Sequence, residues 1–231
     1  MTGGTGLRRF TSPPPEAPPG TTAPGTTAPG TTASGTTAPG TAAERCALCA
    51  AAIPGEHGHV ADVEQAALLC ACRACYLLFT HPQAGRGRYR SVPDRYLCDP
   101  ADPLTLAEWE ALQIPVSLAF FLRSSGSGAV TAFYPSPAGA TECMLDVRAW
   151  TELATAHPLL AAAEPDVEAI LVSRAESGVE CFCVPVDACY ELAGRMRLLW
   201  RGFDGGTEAK ASIASFVADV RRRARPLAGR S

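Results

Sequence analysis

The 231-residue chain contains no asparagine, and of its twenty basic residues only Lys210 is a lysine. Alanine, glycine and proline are abundant instead, a bias of GC-rich coding, so a single arginine carries little chemical information. The missing asparagine excludes a His–Asn–His nuclease, which needs an Asn to position its histidine base. Charged residues make up only 19% and the formal net charge is −3, so no global pull towards nucleic acid or an anionic membrane exists. No run approaches 18 apolar residues, and no membrane span is expected. Pro, Gly and Thr follow Arg8 and Arg9 where a secretory or twin-arginine signal would place an apolar segment. The expected compartment is the cytoplasm. There is no Walker pattern, no Gly-x-Ser-x-Gly and no carboxylate pair with an evident cleft, and the expectation is a non-enzymatic protein.

What is present divides the chain into three. Residues 1–43 read as a disordered low-complexity tail. In it the unit Gly-Thr-Thr-Ala-Pro recurs from Gly20 to Gly40, with Ser34 in place of one proline. Such a stretch buries too little apolar surface to offset an ordering entropy of roughly 1–2 kcal/mol per residue. It reads as a flexible tether whose repeat is a neutral expansion, in preference to a reach-extending linker. Gly6 to Phe10, ahead of it, is a short docking motif or plain tail. Residues 44–98 form a cysteine-rich module, and residues 99–231 an α+β domain.

Cysteine carries the chemistry. Ten cysteines in a reducing compartment are metal ligands and small core residues rather than disulfides. Cys46-Ala-Leu-Cys49 and Cys72-Arg-Ala-Cys75 are two CxxC pairs separated by 22 residues. Two intervening residues let both thiolates of a pair reach one ion from a single turn. Two pairs complete a tetrahedral S4 set. The same set suits iron, as in rubredoxin-type carriers, and zinc is the preferred reading. Cys70 competes with Cys72, because alternate strand residues share a face, and His57 or His59 could replace a thiolate. Ala50 stands where metal knuckles often need glycine for a positive φ.

The elements around these ligands are readable. Turn with two ligands, strand His59 to Val63, strand Ala66 to Cys72 and a helix from Cys72 follow the element order of a treble clef or zinc ribbon. Downstream, Thr105 and Glu108 form a capping box. Apolar runs 115–123 and 129–134 make one hairpin, 167–174 and 179–185 another, with a third strand at 142–147 and a helix at 148–156. Two helices end the chain. One carries Cys189, Leu192, Ala193, Met196, Leu199 and Trp200 on a face, and the other Ile213, Phe216, Val217 and Val220. This predicts an antiparallel sheet with helices on one side.

Three further features have bland readings. Arg86, Arg88, Arg90 and Arg95, interleaved with Tyr89 and Tyr96, could track phosphates and stack bases. Residues 44–99 nonetheless hold six arginines and six acidic residues, and a solvated loop explains the run better; nucleic acid is not the expected partner. Cys143, Cys181, Cys183 and Cys189 lack CxxC spacing and read as core. Loop 200–207 leads into a helix whose N-terminus could take an anion, or which Thr207 simply caps.

Taken together, Cys46-Ala-Leu-Cys49, His57-x-His59, Leu-Leu-Cys-Ala-Cys72-Arg-Ala-Cys75, the stretch 87–95, Val-Pro-Val-Asp-Ala-Cys-Tyr at 184–190 and Leu-Leu-Trp-Arg-Gly at 198–202 resemble an uncharacterised bacterial family. Its members lie near uptake nickel–iron hydrogenase genes in high-GC bacteria. The resemblance covers residues 44–225 and transfers no catalytic residue. It implies a cytoplasmic accessory role, with a protein partner in hydrogenase assembly or electron transfer.

Overall fold

The computed structural model describes residues 44–228 except Pro82, Pro115, Glu176 and Ser177, with nothing to say of the Val147 side chain. The predicted tail, its repeat and the Gly6–Phe10 segment lie outside the described residues.

The first ordered feature is a knuckle. Arg45 bridges Ala52, the Cys46 amide donates to Ala51 O, and the Ala50 amide returns to Cys46 O. Strands β1 (Gly58–Asp62) and β2 (Ala67–Ala71) form the predicted hairpin, in antiparallel register from Gly58 opposite Ala71 to Asp62 opposite Ala67. The Gln65 amide donates to Asp62 Oδ1 across the turn, and Ala66 takes a positive φ. Helix α1 (Arg73–Leu78) starts directly after β2. Within the arginine run, β3 (Tyr89–Ser91) is a strand on the other edge of β1, giving the order β2-β1-β3.

The second sheet has seven strands. They are β4 (Leu97–Cys98), β5 (Leu118–Arg123), β6 (Val130–Ser136), β7 (Gly139–Cys143), β8 (Glu168–Ala175), β9 (Gly178–Pro185) and β10 (Arg225–Pro226). Their spatial order is β10-β4-β9-β8-β5-β6-β7, antiparallel throughout except that β10 runs parallel to β4. Helices α2 (Leu106–Ala111), α3 (Val147–Ala156) and α4 (Pro158–Ala162) lie within this order, and α5 (Val186–Leu199) and α6 (Gly206–Arg223) close it. The class is α+β, as expected. Leu97 and Cys98, at the end of the predicted module, already pair with β9 of the larger sheet.

The expectation of helices on one side is corrected. Phe120, Phe133, Leu171, Phe182 and Val184 face α5 and α6, against Leu192, Met196, Phe216 and Val220. The alternate residues Ala119, Phe121, Ile170, Val172 and Cys183 face α2, α3 and α4, against Trp109, Leu112, Trp150 and Leu159. Both faces are therefore covered, and each buried Leu, Ile or Phe contributes about 1.5–3 kcal/mol. The third strand comes earlier than predicted, because Asp146 caps α3 with bonds to the amides of Arg148 and Ala149 and ends the extended stretch. The Thr105–Glu108 capping box forms with both reciprocal bonds. At α6, Gly205 with φ 87° is the cap, not Thr207. Asp204 accepts from the Gly206 amide and pairs with Lys210, so a carboxylate already occupies the predicted anion position.

The module docks on the large domain through a buried cluster of Ala61, Val92, Val167 and Val186. Polar ties ring it. Arg90 donates to Pro165 O at 2.7 Å and pairs with Glu164, while Arg95 binds both oxygens of the buried Glu168 at 2.5 and 2.7 Å. Arg88 grips Asp62 through Nε and Nη2. Three of the four arginines suspected of contacting phosphate are thus committed to internal carboxylates. Among the described residues no helix is long and apolar enough to cross a membrane.

Candidate metal centre

The knuckle delivers Cys46 and Cys49, the end of β2 delivers Cys72, and the first turn of α1 delivers Cys75. The four sulfurs lie within 4.8 Å of one another. Cys49 and Cys72 are 3.6 Å apart at Sγ. A disulfide would need about 2.05 Å. Four sulfurs around an ion at about 2.3 Å stand roughly 3.8 Å apart, and the Cys49–Cys72 separation of 3.6 Å fits such a cage. All ten cysteines are free.

The local electrostatics agree with that reading. The Cys72 amide aimed at Cys46, with those of Leu48 and Cys49, outweighs burial and brings the Cys46 thiol down to about 6. Cys75 is pushed up to about 12, first by its hydrogen bond to Cys49, then by burial and the other sulfurs. One thiolate forms easily and the next is resisted, as expected where several sulfurs crowd without positive charge between them. A dication removes that resistance. Ala50 has φ 61°, the left-handed conformation that its position demands. Arg45 Nη1 donates to the Ala50 carbonyl at 3.0 Å and braces the turn.

Cys70, His57 and His59 do not enter this cage. They form a second group whose ligand atoms also lie within 4.8 Å of one another. The hairpin register explains it. His59 sits directly opposite Cys70, and His57 lies just ahead of β1, two residues before His59, with its ring close by. Cys72 would share the face of Cys70, but β2 ends at Ala71 and the chain turns into α1, which carries Cys72 to the first cage. The imidazoles are 4.9 Å apart between ring centres. His57 Nδ1 bonds the Pro54 carbonyl at 3.0 Å, and His59 Nδ1 bonds Asp187 Oδ2 at 2.9 Å. Cys70 Sγ donates to Glu44 Oε1 at 3.4 Å.

Asp187 and Glu44 escaped the sequence reading. Asp187 lies in the first turn of α5, 128 residues from His59, and no local pattern links them. The His57-x-His59 alternation and the β1–β2 register were the available signal for the trio itself. Between module and domain runs a groove of about 1230 Å³, lined in part by His57, His59, Tyr76, Tyr96, Asp187 and Arg223. Of the four cysteines read as core, Cys183 is buried on the α2–α4 face and Cys189 on the α5–α6 face, while Cys143 and Cys181 are only half-buried at the edge of the α2–α4 face. Burial pushes the Cys183 thiol up to about 12, which keeps it protonated and inert.

Fold and site define a protein in which a four-cysteine module able to hold a metal ion is docked on an α+β domain with helices on both faces of its sheet. The chain belongs to the family of unknown function DUF5947, whose family model matches residues 45–224. No curated protein and no solved structure matches it.

Proposed function

We propose that the chain is a non-enzymatic, zinc-binding accessory protein, acting in the cytoplasm through a protein partner. Cys46, Cys49, Cys72 and Cys75 would hold one zinc ion in a module of treble-clef type. The observation that carries this is the closed thiolate cage. Four protein ligands leave no coordination position for a substrate, the mark of a structural site. The order of knuckle, hairpin and helix start supports the treble-clef assignment. What the ion would supply is cohesion, joining the knuckle to β2 and α1 across a module whose own apolar cluster is small. The partner that the resemblance suggests is a nickel–iron hydrogenase or its assembly machinery, and the groove beside the module is the surface offered to it.

The test is metal analysis and an ultraviolet–visible spectrum of protein purified without added metal, with Cys46→Ser alongside. Zinc in a colourless wild-type protein, and loss of both metal and module structure in the variant, is the expected result. Iron with thiolate charge-transfer bands that bleach on reduction would replace it by a rubredoxin-like electron carrier.

A further inference from the structure

We propose that His57, His59 and Cys70 form a second, open metal site, taking a divalent ion of the zinc class through two imidazole nitrogens and one thiolate. It shares no side chain with the four-cysteine cage.

The argument starts from the histidine nitrogens. In neutral His57 the bond from Nδ1 to the Pro54 carbonyl requires the proton on Nδ1, which leaves a lone pair on Nε2. That Nε2 is buried and has no hydrogen-bond partner, in a side chain only 8% exposed. A buried imidazole nitrogen without a partner is destabilising unless something accepts its lone pair. His59 is set the same way. Its Nδ1–H points at Asp187, so its Nε2 is the free donor. A carboxylate or carbonyl behind each imidazole is the usual support of a metal-bound histidine, fixing tautomer and ring orientation. The third donor is held opposite His59 by strand pairing.

The donor set decides the ligand. Two imidazoles and a thiolate suit a borderline ion, as in the open sites of zinc enzymes, and disfavour calcium or magnesium. Three protein ligands leave one position for water or an incoming donor. His57, His59 and Asp187 line the groove, so the ion has an entry path from solvent. Around an ion the three donor atoms would stand roughly 3.3–3.6 Å apart, and a ring nitrogen of each histidine and the Cys70 sulfur already lie within 4.8 Å of one another. Binding replaces the Cys70 S–H proton, which leaves to solvent as the metal–sulfur bond forms.

The experiment is a stepwise cobalt(II) titration of the full apo chain, followed by zinc competition. The wild type should bind two equivalents with distinct spectra. One has the intense sulfur-to-cobalt charge transfer of four thiolates. The other has weaker charge transfer and ligand-field bands at higher energy, from the nitrogen-rich set. Cys70→Ser and His59→Gln should lose the second spectrum and keep the first. Asp187→Asn lies outside the hairpin and leaves every ligand in place, and should weaken the second site about 10–100-fold without touching the first. A wild type that saturates at one equivalent with the four-thiolate spectrum overturns this proposal alone. So does a Cys70→Ser protein that keeps both spectra. Loss of the four-thiolate spectrum with the second intact would instead overturn the structural cage.

Discussion

At the scale of single residues, Ala50 shows that the knuckle is built against its own backbone preference. An L-residue in the left-handed region costs about 1–2 kcal/mol, and glycine removes that cost while adding some unfolded-chain entropy. Ala50→Gly is therefore expected to stabilise the module by about 0.5–1 kcal/mol, read from the urea midpoint of metal-loaded protein; no change would mean that the turn is not strained. His157 makes a different prediction. Burial works against its charge, but Glu108 at 3.0 Å and Asp102 at 3.3 Å prevail, and its pKa is raised. Its partner Glu108 is lowered to about 2, first by the hydrogen bond from His157. A raised imidazole stabilises the fold below its unfolded pKa and loses that contribution as pH rises through its folded pKa. A lowered carboxylate stabilises above its own unfolded pKa and loses the contribution as pH falls towards about 2. The denaturation midpoint should fall as pH rises past the ordinary imidazole range, and His157→Gln should remove that slope. A variant with the wild-type slope would assign it elsewhere.

At the scale of elements, Gly58 fits β1 to α1. A Cβ there would lie 2.6 Å from the Tyr76 ring, which its hydroxyl pins to the Val92 carbonyl at 3.0 Å. Gly58→Ala should cost about 1–3 kcal/mol of module stability, seen as a lower melting temperature; an unchanged melt would show that the ring turns aside freely. Elements with a strong local signal were legible in the sequence. The capping box at Thr105, the two large hairpins and the apolar faces of α5 and α6 fall where periodicity and turn residues put them. The short strands β3, β4 and β10 were not, because two or three residues carry no period and exist only through partners far along the chain. The two-sided covering of the sheet was half visible. The unbroken run Ala169 to Val172 in β8 has no polar face, the pattern of a strand buried on both sides. The cysteine pairs were legible because spacing alone lets them share an ion, whereas the separation of Cys70 from Cys72 depended on where β2 stops.

At the scale of the whole molecule, a small four-cysteine module rests on a domain with its own large core. Stripping the metal with a chelator should raise amide hydrogen exchange in residues 44–80 while β5, β8 and β9 stay protected; uniform deprotection would mean that the two unfold as one unit. The junction has a temporal consequence as well. The knuckle, the hairpin, α1 and β3 are complete once Ser91 has been synthesised, but β4 must wait for Cys183 of β9 and then for Arg225 of β10. At the ribosome, adding roughly 5–20 residues per second, the wait for β9 lasts on the order of 4–17 s. Throughout that interval all four cysteines have been made, while the groove-forming helix α5 has not. Birth order thus leaves the cysteines without the cover of α5 while the chain grows, and an ion taken up at that stage would be set by availability during translation.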